Sequence, residues 1–234
     1  MREWYHTFAE DLWLKPDDVG VEEAAFIMKA LRLSRGQSVL DAPCGAGRIA
    51  IHLSHAGCSV TGIDLKQSFI NRAAARFRRE RQSGCFFSLD LRNMTFSGEF
   101  HGIYNWQGSF GYFSDSENLD VLKRYAAALR KSGRLLIDQP NRQSLLRHLM
   151  ATRKFGNRTE KNRWVRETQR IISDWIVDRN GQKEHNRISM RLYTYTQMKK
   201  LYERSGLTVE RVYGSVAGEH YRRSSKRLIM VGKK

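Results

Sequence analysis

Residues 38–64 read SVLDAPCGAGRIAIHLSHAGCSVTGID, and the order of residue types in this stretch decides the fold. Ser38–Leu40 open a short apolar run that ends in Asp41. A tight turn with Gly45 and Gly47 follows, and then Ile49, Ile51, Leu53 and Ala56 recur at helical spacing. Gly57 stops that segment, Val60–Ile63 form a second apolar run, and Asp64 closes it. Strand, glycine turn, helix, strand and acid make a βαβ unit suited to a nucleotide-like ligand. The glycines let backbone N–H groups come close to the ligand. Asp64 stands where a carboxylate can accept both hydroxyls of a ribose.

Spacing alone does not name the ligand, because residues 45–50 also fit the G-x-G-x-x-A dinucleotide fingerprint. Asp41 separates the cases. A diphosphate would be repelled by an anion at the end of the first strand, whereas a sulfonium ligand with a free ammonium group tolerates or gains from it. The segment VLDAPCGAGR (39–48) followed by VTGIDL (60–65) resembles the first two cofactor motifs of S-adenosylmethionine-dependent methyltransferases of the Rossmann-like class. That class usually carries Gly where Pro43 stands, and Pro fixes φ at a value ordinary turns accept. The resemblance implies S-adenosylmethionine as cofactor. It puts Asp41, Ala42, Pro43, Cys44, Gly45, Ala46 and Gly47 around the methionine part, Asp64 on the ribose and Leu65 on the adenine. It also puts Asp90 near the adenine amino group, with Leu91 and Arg92 continuing the wall. Asp90 could equally cap a turn. Arg48 either bonds the cofactor carboxylate or points to solvent.

The 234 residues, 41% hydrophobic and 28% charged, fit one globular α/β domain with a sizeable core. No apolar run reaches membrane-span length, and the opening MREWYHTFAEDLW is not a signal peptide. Three cysteines without paired spacing exclude a disulfide framework and are expected to be buried thiols. The expected location is the cytoplasm. The net charge is +17, and Arg outnumbers Lys 28 to 13. Residues 142–191 hold ten Arg and three Lys against five acids, and residues 219–234 hold six basic residues and one acid. Such a field speeds encounter with acidic substrates or polyanions, or it only solvates the surface. No RNA-binding signature is present.

Periodicity predicts helices over 3–14, 20–33, 67–82 and 118–130, and strands over 85–89, 102–106 and 134–138. The alternation of strands and helices predicts a doubly wound, mostly parallel sheet. At the end, strands at 207–213 and 227–232 have no helix between them, so they should pair antiparallel. A seventh, antiparallel strand there is a further point of resemblance to the methyltransferases. Residues 155–194 form an insert with strand-like runs at 164–171, 175–179 and 185–193 and a hairpin signal at Asn180-Gly181. This insert resembles the antiparallel lid of small-molecule methyltransferases. The expected whole is one domain, 1–234, with N-terminal helices in 1–35 and the lid as an insertion.

The fourth strand leads into NWQGSFGYF at 105–113. The class presents the methyl group to the acceptor here, so the resemblance implies Asn105 and Trp106 beside the cofactor. The N-P-P-Y motif of enzymes acting on base amino groups is absent, which argues against a nucleobase amine. Pro43-Cys44 lies on the wrong strand for a cytosine-C5 nucleophile. NWQGSFGYF instead resembles small-molecule N- and O-methyltransferases. Candidate general bases are Tyr112, His185, Tyr193 and His220, with Tyr221 beside them. Each could also be a surface or packing residue. No metal-ligand cluster, P-loop or nucleophile elbow is present. The leading expectation is methyl transfer to an N or O atom of a small acceptor, for which an acidic or phosphate-bearing one fits the basic lid. RNA or peptide as acceptor, a non-catalytic cofactor-binding protein and an NAD(P) oxidoreductase are the alternatives.

Overall fold

The computed structural model describes residues 4–14 and 20–234. The expectations that fall on residues 1–3 and 15–19, including the start of the N-terminal helix at residue 3, lie outside the described residues. The chain runs α1 (Trp4–Thr7), α2 (Gly20–Leu31), β1 (Ser38–Asp41), α3 (Ala50–His55), β2 (Ser59–Asp64), α4 (Gln67–Arg79), β3 (Gly84–Ser88), β4 (Phe100–Asn105), α5 (Asp115–Ala128) and β5 (Leu129–Pro140). It continues through α6 (Arg142–Arg147), β6 (Thr152–Phe155), β7 (Arg158–Val165), β8 (Arg170–Arg179), β9 (Gln182–Arg191), α7 (Tyr195–Arg204), β10 (Thr208–Tyr213) and β11 (Arg227–Lys233).

Seven strands make one sheet in the order β10-β11-β5-β4-β1-β2-β3. β1 pairs in parallel with β2 and β4, and β11 lies antiparallel between β5 and β10. Both faces are apolar, as a sheet covered on two sides requires. Leu40, Ile63, Ile103 and Ile137 face α5 and α7, where Leu122, Tyr125, Met198 and Tyr202 meet them. Their chain neighbours Val39, Tyr104 and Leu136 face the other way, onto Ile27, Leu31, Ile51 and Leu53 of α2 and α3. Each such buried aliphatic side chain contributes roughly 1.5–3 kcal/mol. Capping boxes start two helices, Ser114 with Glu117 at α5 and Thr194 with Gln197 at α7, each cap worth about 1 kcal/mol. The Ser114 cap explains why α5 begins at Asp115 rather than at residue 118.

β6, β7, β8 and β9 form a separate antiparallel sheet in chain order, so the insert is the expected β structure. Asn180-Gly181 turns its last hairpin with φ of 55° and 86°, the left-handed pair that such a turn requires. Three local expectations need correction. Residues 164–171 are not one strand: the chain reverses at 166–169, and Val165 pairs with Arg170. That turn contains no Gly or Pro, and Gln169 takes its left-handed φ of 52° unaided. The N-terminal helix is broken, with α1 followed by a 3₁₀ turn at Glu10–Leu12. Between them Ala9 is extended, and its N–H donates to Asn186 Oδ1 of β9 at 2.7 Å. Cys44 and Cys58 are buried thiols, but Cys85 is exposed because β3 is the sheet's edge strand.

Candidate functional site

A cavity of about 220 Å³ opens at the carboxyl ends of β1, β2 and β4. Strand-end residues in an open α/β sheet surround its usual ligand crevice. Asp41 ends β1 and Asp64 ends β2, and both are buried in the cavity wall. Asp64 is fixed at both oxygens: Gly45 N–H donates to Oδ2 at 2.9 Å and Lys66 N–H to Oδ1 at 3.0 Å. Each oxygen keeps a further lone pair. Gly47 has φ of 72°, and a Cβ built on it would lie 3.0 Å from the Ala73 Cβ of α4. The glycine therefore lets the turn sit directly on that helix. Pro43, Cys44, Gly45 and Ala46 line the cavity; Ala42 and Gly47 stand behind them.

Charge in this wall is strained. Burial, reinforced by the nearby Asp64 charge, pushes the Asp41 carboxyl up, with the Tyr104 hydroxyl and Arg48 pulling back. Burial also raises Asp64, partly offset by the N–H groups of Lys66 and Gly45. Burial and then the two aspartates raise the Cys44 thiol, which leaves it protonated and a poor nucleophile. The arrangement is suited to a cationic ligand that would return both carboxylates to their ionised form.

Arg48 does not point to solvent. Its Nη2 donates to Glu23 Oε2 at 2.6 Å, while Nη1 is buried without a partner among the described residues, in a side chain that lines the cavity. Burial alone would raise Glu23, but Arg48 and the Gln107 side-chain amide outweigh it and hold that carboxyl below its usual range. Asp90 is both a wall residue and a cap. It lines the cavity, and it caps the 3₁₀ turn at Leu91–Asn93 by accepting from Arg92 N–H at 2.8 Å. The Arg92 guanidinium also reaches it at 2.8 Å, and these bonds overcome burial to keep Asp90 low. Arg92 itself bridges to Glu117 at 2.9 Å and lies over the Phe113 ring, and it is not part of the cavity wall. Leu65 and Leu91 line the cavity together with Phe69 and Leu89, which the motif reading did not single out.

Asn105 lies behind the wall. Its amide donates to Tyr125 Oη at 3.2 Å, and that hydroxyl donates to the Ala42 carbonyl at 2.8 Å, which ties α5 to the turn after β1. Trp106, Gln107, Ser109, Tyr112 and Phe113 bring the loop after β4 to the cavity. Aromatic residues of the N-terminal segment meet that loop. The Trp4 ring stands edge-on to Tyr112 with centroids 4.7 Å apart, and Tyr5 stacks on Tyr112 at 6.3 Å. Tyr5 and Trp13 also line the cavity. Burial pushes the Tyr112 hydroxyl up, so it stays protonated at neutral pH.

The insert grips the same loop. Arg170 of β8 donates to the carbonyls of Gly111, Tyr112 and Phe113 at 3.1, 2.7 and 3.0 Å. Arg170 was not a candidate: the contact spans nearly 60 residues and leaves no local pattern. His185 and His220 are exposed and outside the cavity. Tyr193 is buried in the core, where its hydroxyl donates to Asp115 at 2.8 Å and accepts from Asn118 at 3.1 Å. Of the four proposed bases, the cavity gathers Tyr112 alone. Arg187 and Arg191 of the basic insert are engaged by Asp174 at 2.6 Å and Asp115 at 3.0 Å. Among the described residues there is no group of three or more metal-ligating side chains, and no helix is long and apolar enough to cross a membrane.

Residues 39–133 match the sequence profile of a methyltransferase domain. A curated protein of Geobacillus sp. strain WCH70, described as a methyltransferase, is 23% identical over 225 residues, which cover 90% of this chain and 91% of that protein. The CcbJ methyltransferase from Streptomyces caelestis has the same fold, with a TM-score of 0.81 at 16% identity over 94% of this chain and 92% of its own. The sugar N-methyltransferase KedS8 from a Streptoalloteichus species superposes with a TM-score of 0.69 at 18% identity, covering 92% of this chain and 87% of its own.

Proposed function

We propose that this chain, a Rossmann-like S-adenosylmethionine-dependent methyltransferase with its methyltransferase domain over residues 39–133, methylates a nitrogen or oxygen atom of a small acceptor. The observation that carries this reading is one cavity with carboxylates at or just beyond three strand ends on one side and an aromatic wall on the other. When bound, S-adenosylmethionine supplies an electrophilic methyl carbon whose sulfur leaves as a neutral thioether. The protein then has to position and desolvate the acceptor.

In this reading Asp64, already oriented by two backbone N–H groups, accepts the ribose hydroxyls. Asp41 faces the cationic methionine portion, and the open Nη1 of Arg48 takes its carboxylate. Leu65, Phe69 and Leu91 pack on the adenine, with Asp90 at its amino group. Tyr5, Trp13 and Tyr112 wall the acceptor side and exclude water. Tyr112 keeps its proton, so it donates a hydrogen bond instead of acting as the base. A neutral amine acceptor needs no base before attack and loses its proton to water afterwards. The likeness to a sugar N-methyltransferase supports nitrogen as the acceptor atom and a small polar molecule as its bearer.

The experiment is transfer of labelled methyl from S-adenosylmethionine to amino sugars, hydroxylated metabolites, short peptides and RNA. The reading expects label in small amines or alcohols. Label only in RNA or peptide would overturn it.

A further inference from the structure

A second cavity, of about 160 Å³, opens at the end of β5. That is several times the roughly 30 Å³ a water molecule occupies. Asn141, Arg142, Tyr195, Tyr221 and Arg223 line it. It joins the two basic stretches of the sequence, since Arg142 begins the first and Arg223 lies in the second.

Arg142 is half-buried. Arg48, Arg92, Arg134, Arg158, Arg179, Arg187, Arg191 and Arg227 each hold a carboxylate within ion-pair distance. Among the described residues Arg142 has only neutral partners: Gln169 Oε1 at 2.8 Å, Gln197 Oε1 at 3.4 Å, and the Trp164 ring, whose centroid is 5.0 Å away. Burial and the neighbouring Arg191 charge disfavour its protonated form, as expected of a cation without a counter-ion. Arg223 is exposed and has no carboxylate partner among the described residues. Its loop is nevertheless fixed, because Asn141 Nδ2 donates to the Arg223 carbonyl at 3.0 Å and the Ser225 carbonyl at 2.7 Å. Tyr221 donates to Asn141 Oδ1 at 3.2 Å and stacks on Tyr195 at 5.8 Å. The cavity is thus a shaped space with two uncompensated guanidinium groups and a tyrosine pair. A guanidinium fork matches phosphate oxygens, and two of them match a dianion.

The loop after β4 lines the first cavity through Gln107 and Ser109, and Pro140 precedes the second cavity's Asn141. The loop after β4 passes the end of β5, where a Cβ on Gly108 would lie 3.4 Å from Pro140 and 3.6 Å from the Met190 sulfur. We infer that the cavity at Arg142 and Arg223 binds a phosphate group carried by the acceptor, so that the acceptor is a phosphorylated small molecule. The inference rests on the proposed methyl transfer for its role, but the anion site stands on its own geometry.

Calorimetry at fixed ionic strength tests it, with inorganic phosphate, glucosamine 6-phosphate and glucosamine as probes. S-adenosylhomocysteine is titrated in parallel. The wild type should bind inorganic phosphate, and should bind glucosamine 6-phosphate more tightly than either phosphate or glucosamine. The Arg142→Gln/Arg223→Gln double variant should lose at least tenfold in phosphate affinity while its S-adenosylhomocysteine affinity stays within twofold. No phosphate binding by the wild type, or undiminished binding by the double variant, would overturn the site. Equal affinity for phosphate and glucosamine 6-phosphate would overturn the acceptor role. If the double variant fails to fold, the exposed Arg223→Gln alone decides, with severalfold weakening expected and no change contradicting the site. Loss of S-adenosylhomocysteine binding by the wild type would instead strike the methyltransferase reading and leave the anion site intact.

Discussion

Two cavities share the carboxyl edge of one sheet, and their linings differ in charge. The larger one sets Asp41, Asp64 and Asp90, at the ends of strands or just beyond them, among Arg48, Lys66 and Arg76, with two of these carboxyls raised by burial. The smaller one has Arg142 and Arg223 and no lining carboxylate. Backbone pairing places both, because every parallel strand ends at this edge, but side chains decide what each half can hold. The acidic half suits a cation, whose charge would relieve the strained aspartates. The basic half suits an anion, which would supply the counter-ion that Arg142 lacks. The difference shows why a net charge of +17 describes the whole chain poorly: Arg187 and Arg191 of the basic insert are held by acids, whereas Arg142 is held by neutral groups.

The contrast can be broken most severely at Gly47. Gly47→Val would force a β-branched residue into a left-handed φ and drive its Cβ into Ala73. Strain and overpacking together should cost about 3 kcal/mol, lowering Tm by about 6–12 °C, and should abolish S-adenosylhomocysteine binding. Thermal melts and calorimetry check this, and phosphate binding at the second cavity should survive wherever the variant is folded. Arg170→Ala is next. It removes the donor to three carbonyls of the loop that carries Tyr112, with an expected loss of about 2 kcal/mol in stability. It should also lower kcat/KM more than it weakens the cofactor, and an unchanged melt would show that the insert does not hold the loop.

A smaller effect is expected at Asp41. Asp41 is raised by burial, so in the free protein its contribution to stability is fully present below the ordinary aspartate pKa and is lost as pH rises through the raised value. A cationic ligand reverses the preference and favours the ionised carboxylate. Affinity for S-adenosylmethionine should therefore climb with pH, by at most about tenfold per unit, until Asp41 is ionised without help. S-adenosylhomocysteine, lacking the sulfonium charge, should show a shallower slope, and Asp41→Asn should flatten both. Equal slopes for the two ligands in the wild type would remove Asp41 from the charge argument.

The two halves also differ in how far they could be read from the chain. The acidic half was legible because residues 38–64 hold the strand, turn, helix and acid next to one another. The mostly parallel sheet and its antiparallel end followed from local alternation. The basic half was visible only as composition. That Arg142 lacks an acid while Arg187 and Arg191 have one depends on contacts across the insert. The reversal at 166–169 was hidden because neither Gly nor Pro marks it, and the exposure of Cys85 depends on β3 being an edge, which is a property of the whole sheet. The broken N-terminal helix likewise follows from a distant partner, Asn186, taking the Ala9 amide.

Asp64 carries the central claim, because it joins the turn to the second strand and supplies the proposed ribose contact. Calorimetric titration of the wild type and Asp64→Ala with S-adenosylhomocysteine and with NAD tests that claim most directly. The wild type should bind S-adenosylhomocysteine more tightly than NAD, and Asp64→Ala should lose about 1.5–3 kcal/mol of that affinity, the worth of hydrogen bonds to a charged group. Unchanged S-adenosylhomocysteine affinity in Asp64→Ala, or tighter binding of NAD by the wild type, would contradict that claim.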